Sequence, residues 1–403
     1  MKPYILETLA EGDLFSVPGI QGSSCKTGVK PSGSPDLSLI VADQPMTSAA
    51  MFTKNECAAA PVHLSRARVH ETGQTRSVVI NSGNANALTG PQGMKDAEAM
   101  MQTLETYCGA PGFVMSTGII GVPLPVEQVL EGIRNASQQL SKDQHEVNKA
   151  ILTTDTREKT VAVQIIDSRD PSRHRWTIGG IAKGSGMIHP NMATMLAVIA
   201  TDLPLASVQV KQGLQDAVDH SFHQISVDGD TSTNDTVLLM APPAQEPLPE
   251  GLYETFMEGL RKVAMSLAQQ IVLDGEGAGR WMDIHVKGAK DQQSARQVAD
   301  AIARSPLVKT ALAGGNPNWG RIISAAGNAG VPLQVENITL YLGQHAVLQH
   351  GSPTPVDAAL LDKTFSAQRV DVHLDLGQGD ASTLMTTIDL THKYIEINAE
   401  YTT

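Results

Sequence analysis

The sequence predicts a mixed α/β protein, an α/β or α+β arrangement of layered sheets flanked by helices. Three observations point to it. Short apolar runs and segments of period two alternate with segments of helical period along the whole chain. The 35 glycines gather in turns between them. Aromatics make up only 4% of the 403 residues, so the core must rest on Val, Ile, Leu, Ala and Met. That length implies two folding units or one large layered domain.

In chain order, Leu37, Leu39 and Val41 alternate as a strand, and SVVI (77–80) runs into the turn-rich NSGNANALTG (81–90). The spacing of Ala97, Met101, Leu104 and Cys108 predicts a helix from Pro91 to Cys108, and Val126, Val129, Leu130 and Ile133 predict another after Pro125. Between them, VMSTGIIGVPLP (114–125) is hinged at Gly118 and Gly121. Val161, Val163 and Ile165 alternate again. MLAVIA (195–200) is too short for a buried helix and suits a strand covered on both faces. Val210, Leu214, Ala217 and Phe222 mark a helix. A longer one after Pro249 carries Phe256, Leu260, Val263, Leu267 and Ile271 and stops at DGEGAG (274–279). WMDIHV (281–286), ITLYL (338–342), VDVHLDL (370–376) and YIEINAEY (394–401) are expected strands.

Charge and cysteine usage narrow the function. With 42 Asp+Glu against 30 Lys+Arg, the net charge of −12 disfavours nucleic acid or an anionic membrane surface as partner. Cys25, Cys57 and Cys108 give neither a disulfide framework nor a thiolate zinc site, which fits a reducing compartment. No run approaches ~18 apolar residues, and the first residues show no signal or transit pattern, so a cytoplasmic location is expected. Phosphate-cradle, dinucleotide, zincin and nucleophile-elbow motifs are missing. VDGDTSTND (227–235) fails as a calcium loop, with Thr233 at the sharp-turn Gly position and Leu239 at the bidentate Glu position, and reads as a hydrogen-bonded turn.

The chemistry concentrates in KGSGMIHPNMATMLAVIATD (183–202), where Ala193-Thr194 stands directly before the buried strand. A β-branched hydroxyl there can attack the Ala193 carbonyl, shift the acyl group from N to O and lose it to water. The new chain would begin at Thr194, whose α-amine, with a pKa of ~8, can serve its own hydroxyl as general base. On spacing alone, a plain strand start at Thr194, where Thr is common, is the favoured reading.

This stretch resembles, nearly residue for residue, the self-cleavage segment of the ornithine acetyltransferase family, the glutamate/ornithine N-acetyltransferases of arginine biosynthesis. The resemblance extends in family order through SSCKTGVKP (23–31), FTKNECAAAPV (52–62), VVINSGNANALTG (78–90), STGIIGVPLP (116–125), TTDT (153–156), VDGDTSTNDT (227–236), DGEGA (274–278), NPNWGRI (316–322) and INAEYTT (397–403). It implies an N-terminal-nucleophile-like fold made jointly by two self-cleaved chains: residues 1–193 with the oxyanion hole and part of the pocket, and residues 194–403 with the nucleophile and the rest. It places cleavage after Ala193, the nucleophile on Thr194 and the oxyanion pair on Thr117 and Gly118. Substrate contacts fall on Thr153, Lys183, Thr194, Glu276, Asn398 and Thr403. The tail holding Asn398 and Thr403 alternates up to its end, which suggests pairing into a sheet.

The implied reaction is ping-pong. Thr194 takes the acetyl group of N2-acetyl-L-ornithine as an ester and passes it to L-glutamate, with no metal or organic cofactor. Acetyl-CoA as a further donor stays open. The implied assembly is a heterodimer of the two fragments, paired again into a dimer of heterodimers. Asn316, where the family has Asp, and LMTTIDL (384–390), where it has Gly-Cys before Asp-Leu, depart from the pattern and leave substrate preference open. Two other readings stand: an N-terminal-nucleophile amidohydrolase or aminopeptidase, and an unprocessed amino-acid-binding paralogue.

Overall fold

The computed structural model describes residues 3–142, 145–169, 175–189 and 195–400. It divides into two units, Met1–His223 with Asp230–Ile271, and Gln224–Gly229 with Val272–Thr402. In the first unit the strands are β1 (Tyr4–Thr8), β2 (Ile20–Cys25), β3 (Leu37–Phe52), β4 (Gln74–Asn84), β5 (Gly112–Ile119), β6 (Lys159–Asp167), β7 (Arg175–Lys183) and β8 (Leu196–Thr201); β9 (Ile225–Ser226) joins the second unit, and β10 (Thr236–Ala241) returns to the first. Among the described residues they form one mixed sheet in the order β1-β6-β7-β8-β10-β3-β4-β5, with β2 on β3.

Period-two alternation buries this sheet on both faces. Leu39, Val79 and Val114 pack against Met100, Leu104, Val129 and Ile133 of helices α2 (Gly90–Cys108) and α3 (Val126–Ser137), which follow α1 (Ala60–Thr72). Their neighbours Ile40, Val78, Ile80 and Met115 join Ile181, Val198 and Leu238 in a second cluster, closed by Val147 of α4 (His145–Ala150). β8 is buried at every position, as its uninterrupted apolar run requires. It pairs antiparallel with β7 and parallel with β10. Helix α5 (Ser207–Asp219) precedes β10, and α6 (Leu252–Leu273) follows it with Phe256, Leu260, Val263, Leu267 and Ile271 all buried. Leu267 comes so close to Gly180 that a Cβ there would lie 3.0 Å from it. Phe222, expected within the α5 helix, sits in a 3-10 turn after it.

The second unit holds β11 (Trp281–Ala289), α7 (Gln292–Arg304), α8 (Pro306–Ala313), α9 (Trp319–Gly327), β12 (Thr339–Leu342), β13 (His345–Gln349), β14 (Ser352–Pro353), α10 (Ala358–Phe365), β15 (Arg369–Asp375), β16 (Ala381–Ile388) and α11 (His392–Glu400). Its sheet runs β14-β13-β12-β15-β11-β16-β9. Met282, Ile284 and Val286 alternate inward against Val298, Ala299 and Ile302 of α7. The strand expected over 394–401 is wrong over its described part: residues 394–400 belong to α11, and residue 401 lies outside the described residues. Half-buried positions recur there at Thr391, Tyr394 and Ile397, a spacing of three, while Ile395 is exposed. A Lys393–Glu396 pair at 2.9 Å supports the helix one turn apart. Among the described residues, no helix is long and apolar enough to cross a membrane.

Lys309 of α8 ties the borrowed strand to this unit. Its buried ammonium donates to Val227 O at 2.7 Å, to Thr387 Oγ1 at 3.2 Å and to Ile388 O. Burial pulls its pKa down to about 8, against the pull of Asp228 and Asp389. Replacing Lys309 with Met leaves two buried carbonyls without a donor, so urea unfolding is expected to show a loss of about 2–3 kcal/mol. An unchanged transition midpoint would contradict this.

Candidate active site

Thr117 and Gly118 end β5, which runs parallel to β4 with Thr117 beside Ser82 and Gly118 beside Gly83. Two glycines face each other because the backbones nearly touch: a Cβ on Gly118 would sit 2.3 Å from the Gly83 carbonyl carbon. Gly118 also has φ +132°, a conformation that other residues rarely adopt. The strand ends are fixed from within, by Asn81 Nδ2 donating to Asn84 O at 2.8 Å and Ser116 Oγ to Asn81 Oδ1. The Thr117 side chain is buried.

Lys183 ends β7 and is 2% exposed. Its Nζ donates to Thr153 Oγ1 at 2.8 Å and to Thr117 Oγ1 at 3.4 Å. Three residues named from sequence thus meet at one ammonium. Beneath it lies Asp155, wholly buried, whose Oδ2 is 3.7 Å from Lys183 Nζ and whose Oδ1 is 2.7 Å from Lys159 Nζ. Asp155 also accepts the Gly184 N–H at 2.6 Å and the Thr153 N–H at 3.1 Å. Burial works against the charge on this carboxyl, but Lys183, Lys159 and the Gly184 N–H together hold it well below the usual carboxylate range. Lys159 makes the closer of the two contacts with Asp155.

The loop before β3 adds a third cation. Asp36 accepts the backbone N–H groups of Thr27, Gly28, Val29 and Lys30, at 2.6 to 3.1 Å, so the chain winds around a buried carboxylate. Lys30 Nζ then donates to Pro35 O at 2.9 Å and Ala150 O at 3.1 Å. Burial lowers its pKa to about 8, with Lys183 adding to the effect and Asp36 opposing it.

In the second unit, Asn398 Nδ2 donates to Glu276 Oε2 at 2.8 Å and to Tyr394 O at 3.0 Å. Asn398 meets Glu276 from a helix rather than from a sheet edge. Thr391 Oγ1, donating to Gly277 O at 2.7 Å, anchors the start of that helix beside the Glu276 turn. Ala193, Thr194 and Thr403 lie outside the described residues.

The sequence pattern of the ArgJ family matches residues 21–403. The chain belongs to that family. An ArgJ relative from Parasynechococcus marenigrum, named arginine biosynthesis bifunctional protein ArgJ, is 41% identical over 98% of this chain and 96% of its own. Another of the same name, from Dehalococcoides mccartyi, is 40% identical over 99% of each chain. A crystal structure of ornithine acetyltransferase complexed with ornithine, from Mycobacterium tuberculosis, is 33% identical, covers 46% of this chain and 98% of that one, and has a TM-score of 0.41.

Within this candidate site of an ArgJ-family chain, sequence reasoning missed Asp155, Lys159 and Lys30. The Asp155-to-Lys159 spacing and the lysine of GVKP were visible, but nothing local said that Asp155 and Lys159 would be buried as a pair, or that the half-buried Lys30 would come within electrostatic reach of Lys183 and Asp155. Asp155 titrates below its unfolded value of ~3.9, so its contribution is complete above that pH and is lost as pH falls through the depressed value. Asp155→Asn leaves two buried ammoniums without their carboxylate and should cost about 3–5 kcal/mol at neutral pH. It should also flatten the acid limb of Tm against pH; an acid limb as steep as in the parent would refute the assignment.

Proposed function

We propose that this chain is an arginine-biosynthetic acetyltransferase that cuts itself between Ala193 and Thr194 and then moves an acetyl group from N2-acetyl-L-ornithine to L-glutamate. Membership of the ArgJ family supports the activity. The observation that carries the site is the meeting of Thr117, Thr153 and Lys183 at one buried ammonium.

The Thr194 hydroxyl, deprotonated by its own α-amine, attacks the acetyl carbonyl. The oxyanion that forms accepts hydrogen bonds from the Thr117 hydroxyl and the Gly118 N–H. Collapse expels the ornithine amine, which takes the proton from the α-ammonium, and leaves an acetyl ester on Thr194. The glutamate amine then attacks that ester through the same hole, and acetylglutamate leaves. Lys183 attracts the α-carboxylate common to both amino acids, with Thr153 fixing its ammonium. Glu276, held by Asn398, suits the ornithine side-chain ammonium, and Thr403 completes the set of substrate contacts carried over from the family.

The name of the relatives, bifunctional, supports acetyl-CoA as a second donor to glutamate. The working form in this reading is a heterodimer of fragments 1–193 and 194–403, paired again with a second copy.

Thr194→Ala is expected to run as one uncut chain on a denaturing gel with no transferase activity; two fragments from it would falsify the scheme. Thr117→Val, which removes one oxyanion donor, should lower kcat by roughly 10²–10³-fold with little change in KM. In the parent enzyme, acetylglutamate should appear in step with released ornithine. Ornithine released without acetylglutamate would instead favour the amidohydrolase reading.

A further inference from the structure

Residues 232–236 of the hydrogen-bonded turn have no part in the scheme above, yet they touch both strands that carry it. Asn234 Nδ2 donates to Ser116 O at 2.9 Å and to Ala85 O at 2.7 Å. Asp235 Oδ1 accepts the Met195 N–H at 3.3 Å. Both side chains are buried.

We propose that Asn234 and Asp235 are positioning residues, a two-residue clamp that sets the nucleophile strand against the oxyanion pair. The proposal rests on the assignment of Thr194, Thr117 and Gly118 made above. A peptide unit is planar, so fixing its C=O or its N–H fixes the whole plane. The Ser116 carbonyl held by Asn234 belongs to the peptide plane that enters Thr117. The Met195 N–H held by Asp235 belongs to the peptide that Met195 makes with its predecessor. Consecutive residues therefore grip the peptide before the oxyanion pair and the peptide after the nucleophile position.

The clamp is itself pinned. Thr236 N donates to Met195 O at 3.1 Å, and Asp235 O accepts the Thr53 N–H at 2.9 Å, so the turn is locked between β8 and β3. Thr233 Oγ1 donates to Asn234 Oδ1 at 2.6 Å, which orients the amide so that both of its N–H groups reach carbonyls. Burial, only partly offset by the Met195 N–H and the Thr53 and Ser232 hydroxyls, pushes the Asp235 carboxyl well above its usual range. An asparagine there keeps both the neutral state and the acceptor. Asn55 offers a control, because its Nδ2 donates to Thr231 O at 2.8 Å and so supports the same turn without touching either reacting strand.

The test compares full-length Asn234→Ala, Asp235→Ala, Asp235→Asn and Asn55→Ala for rate of self-cleavage, then for kcat, KM and Tm once cleavage is complete. The two clamp alanines are expected to slow cleavage and to lower kcat by about 100-fold, with KM for acetylornithine within about 3-fold, because a misplacement near 1 Å costs that much in rate. Asp235→Asn should recover to within about 10-fold of the parent, and Asn55→Ala should lower Tm while keeping kcat. The clamp is overturned by parental kcat in a folded alanine variant, by Asp235→Asn as slow as Asp235→Ala, or by Asn55→Ala losing kcat as heavily. Should an alanine variant not fold, Asp235→Glu is read in its place: it moves the carboxyl by one methylene, and parental kcat there also overturns the clamp. Thr194→Ala keeps the two assignments apart. If it still cleaves, the site itself is misassigned; if it stays uncut while the clamp variants behave as the parent, only the clamp fails.

Discussion

The burial of Asp155 is the constraint around which the first unit's site is built. Register puts Lys159 opposite Ala182 on the antiparallel β6–β7 pair, so Lys159 and Lys183 arrive at the same end of the sheet. Two ammoniums there, both out of water, would repel each other. A carboxylate between them turns that repulsion into attraction. It remains ionised because of the two ammoniums first and the Gly184 N–H after them, and it also accepts the Thr153 N–H. The same bonds place the Thr153 hydroxyl and the turn after Lys183, so charge neutralisation and site geometry are one requirement.

The end of β5 that carries the proposed oxyanion pair is built on a different principle, close backbone approach. Gly83 and Gly118 bring β4 and β5 together where side chains would keep them apart, and Asn81 ties off the polar groups that this approach buries. A catalytic arrangement needs both kinds of rigidity: donors that do not move as negative charge develops, and a cation that is fixed yet not fully neutralised.

Much of this was legible in the sequence where one local signal sufficed. The apolar run of β8, the helical spacing of α2 and α6, and the period-two strands β11, β12 and β15 stand where the pattern put them, because burial on one or both faces leaves a direct imprint on residue order. The C-terminal segment misled because YIEINAEY has both a period-two and a period-three reading, and only the packing of Tyr394 and Ile397 selects the latter. β9, two residues long, has no pattern to show. Asp155 stood in a block already recognised, but its partners depend on strand register, which a single sequence does not encode locally. Asn234 and Asp235 were legible as a turn and illegible as a link, since the carbonyl and the N–H they hold come from Ser116 and Met195, far along the chain.

The charge of the whole chain and the charge of the site have opposite signs, and distance reconciles them. A net −12 acts through solvent, where screening over ~8 Å at physiological salt leaves little of it to oppose the approach of an anionic amino acid. Lys183 acts inside the protein, where the same unit of charge is worth several times more. An acidic exterior therefore does not prevent a buried ammonium from selecting a carboxylate. In the proposed mechanism that selection falls to Lys183, whose ammonium lies 3.7 Å from Asp155, against 2.7 Å for Lys159.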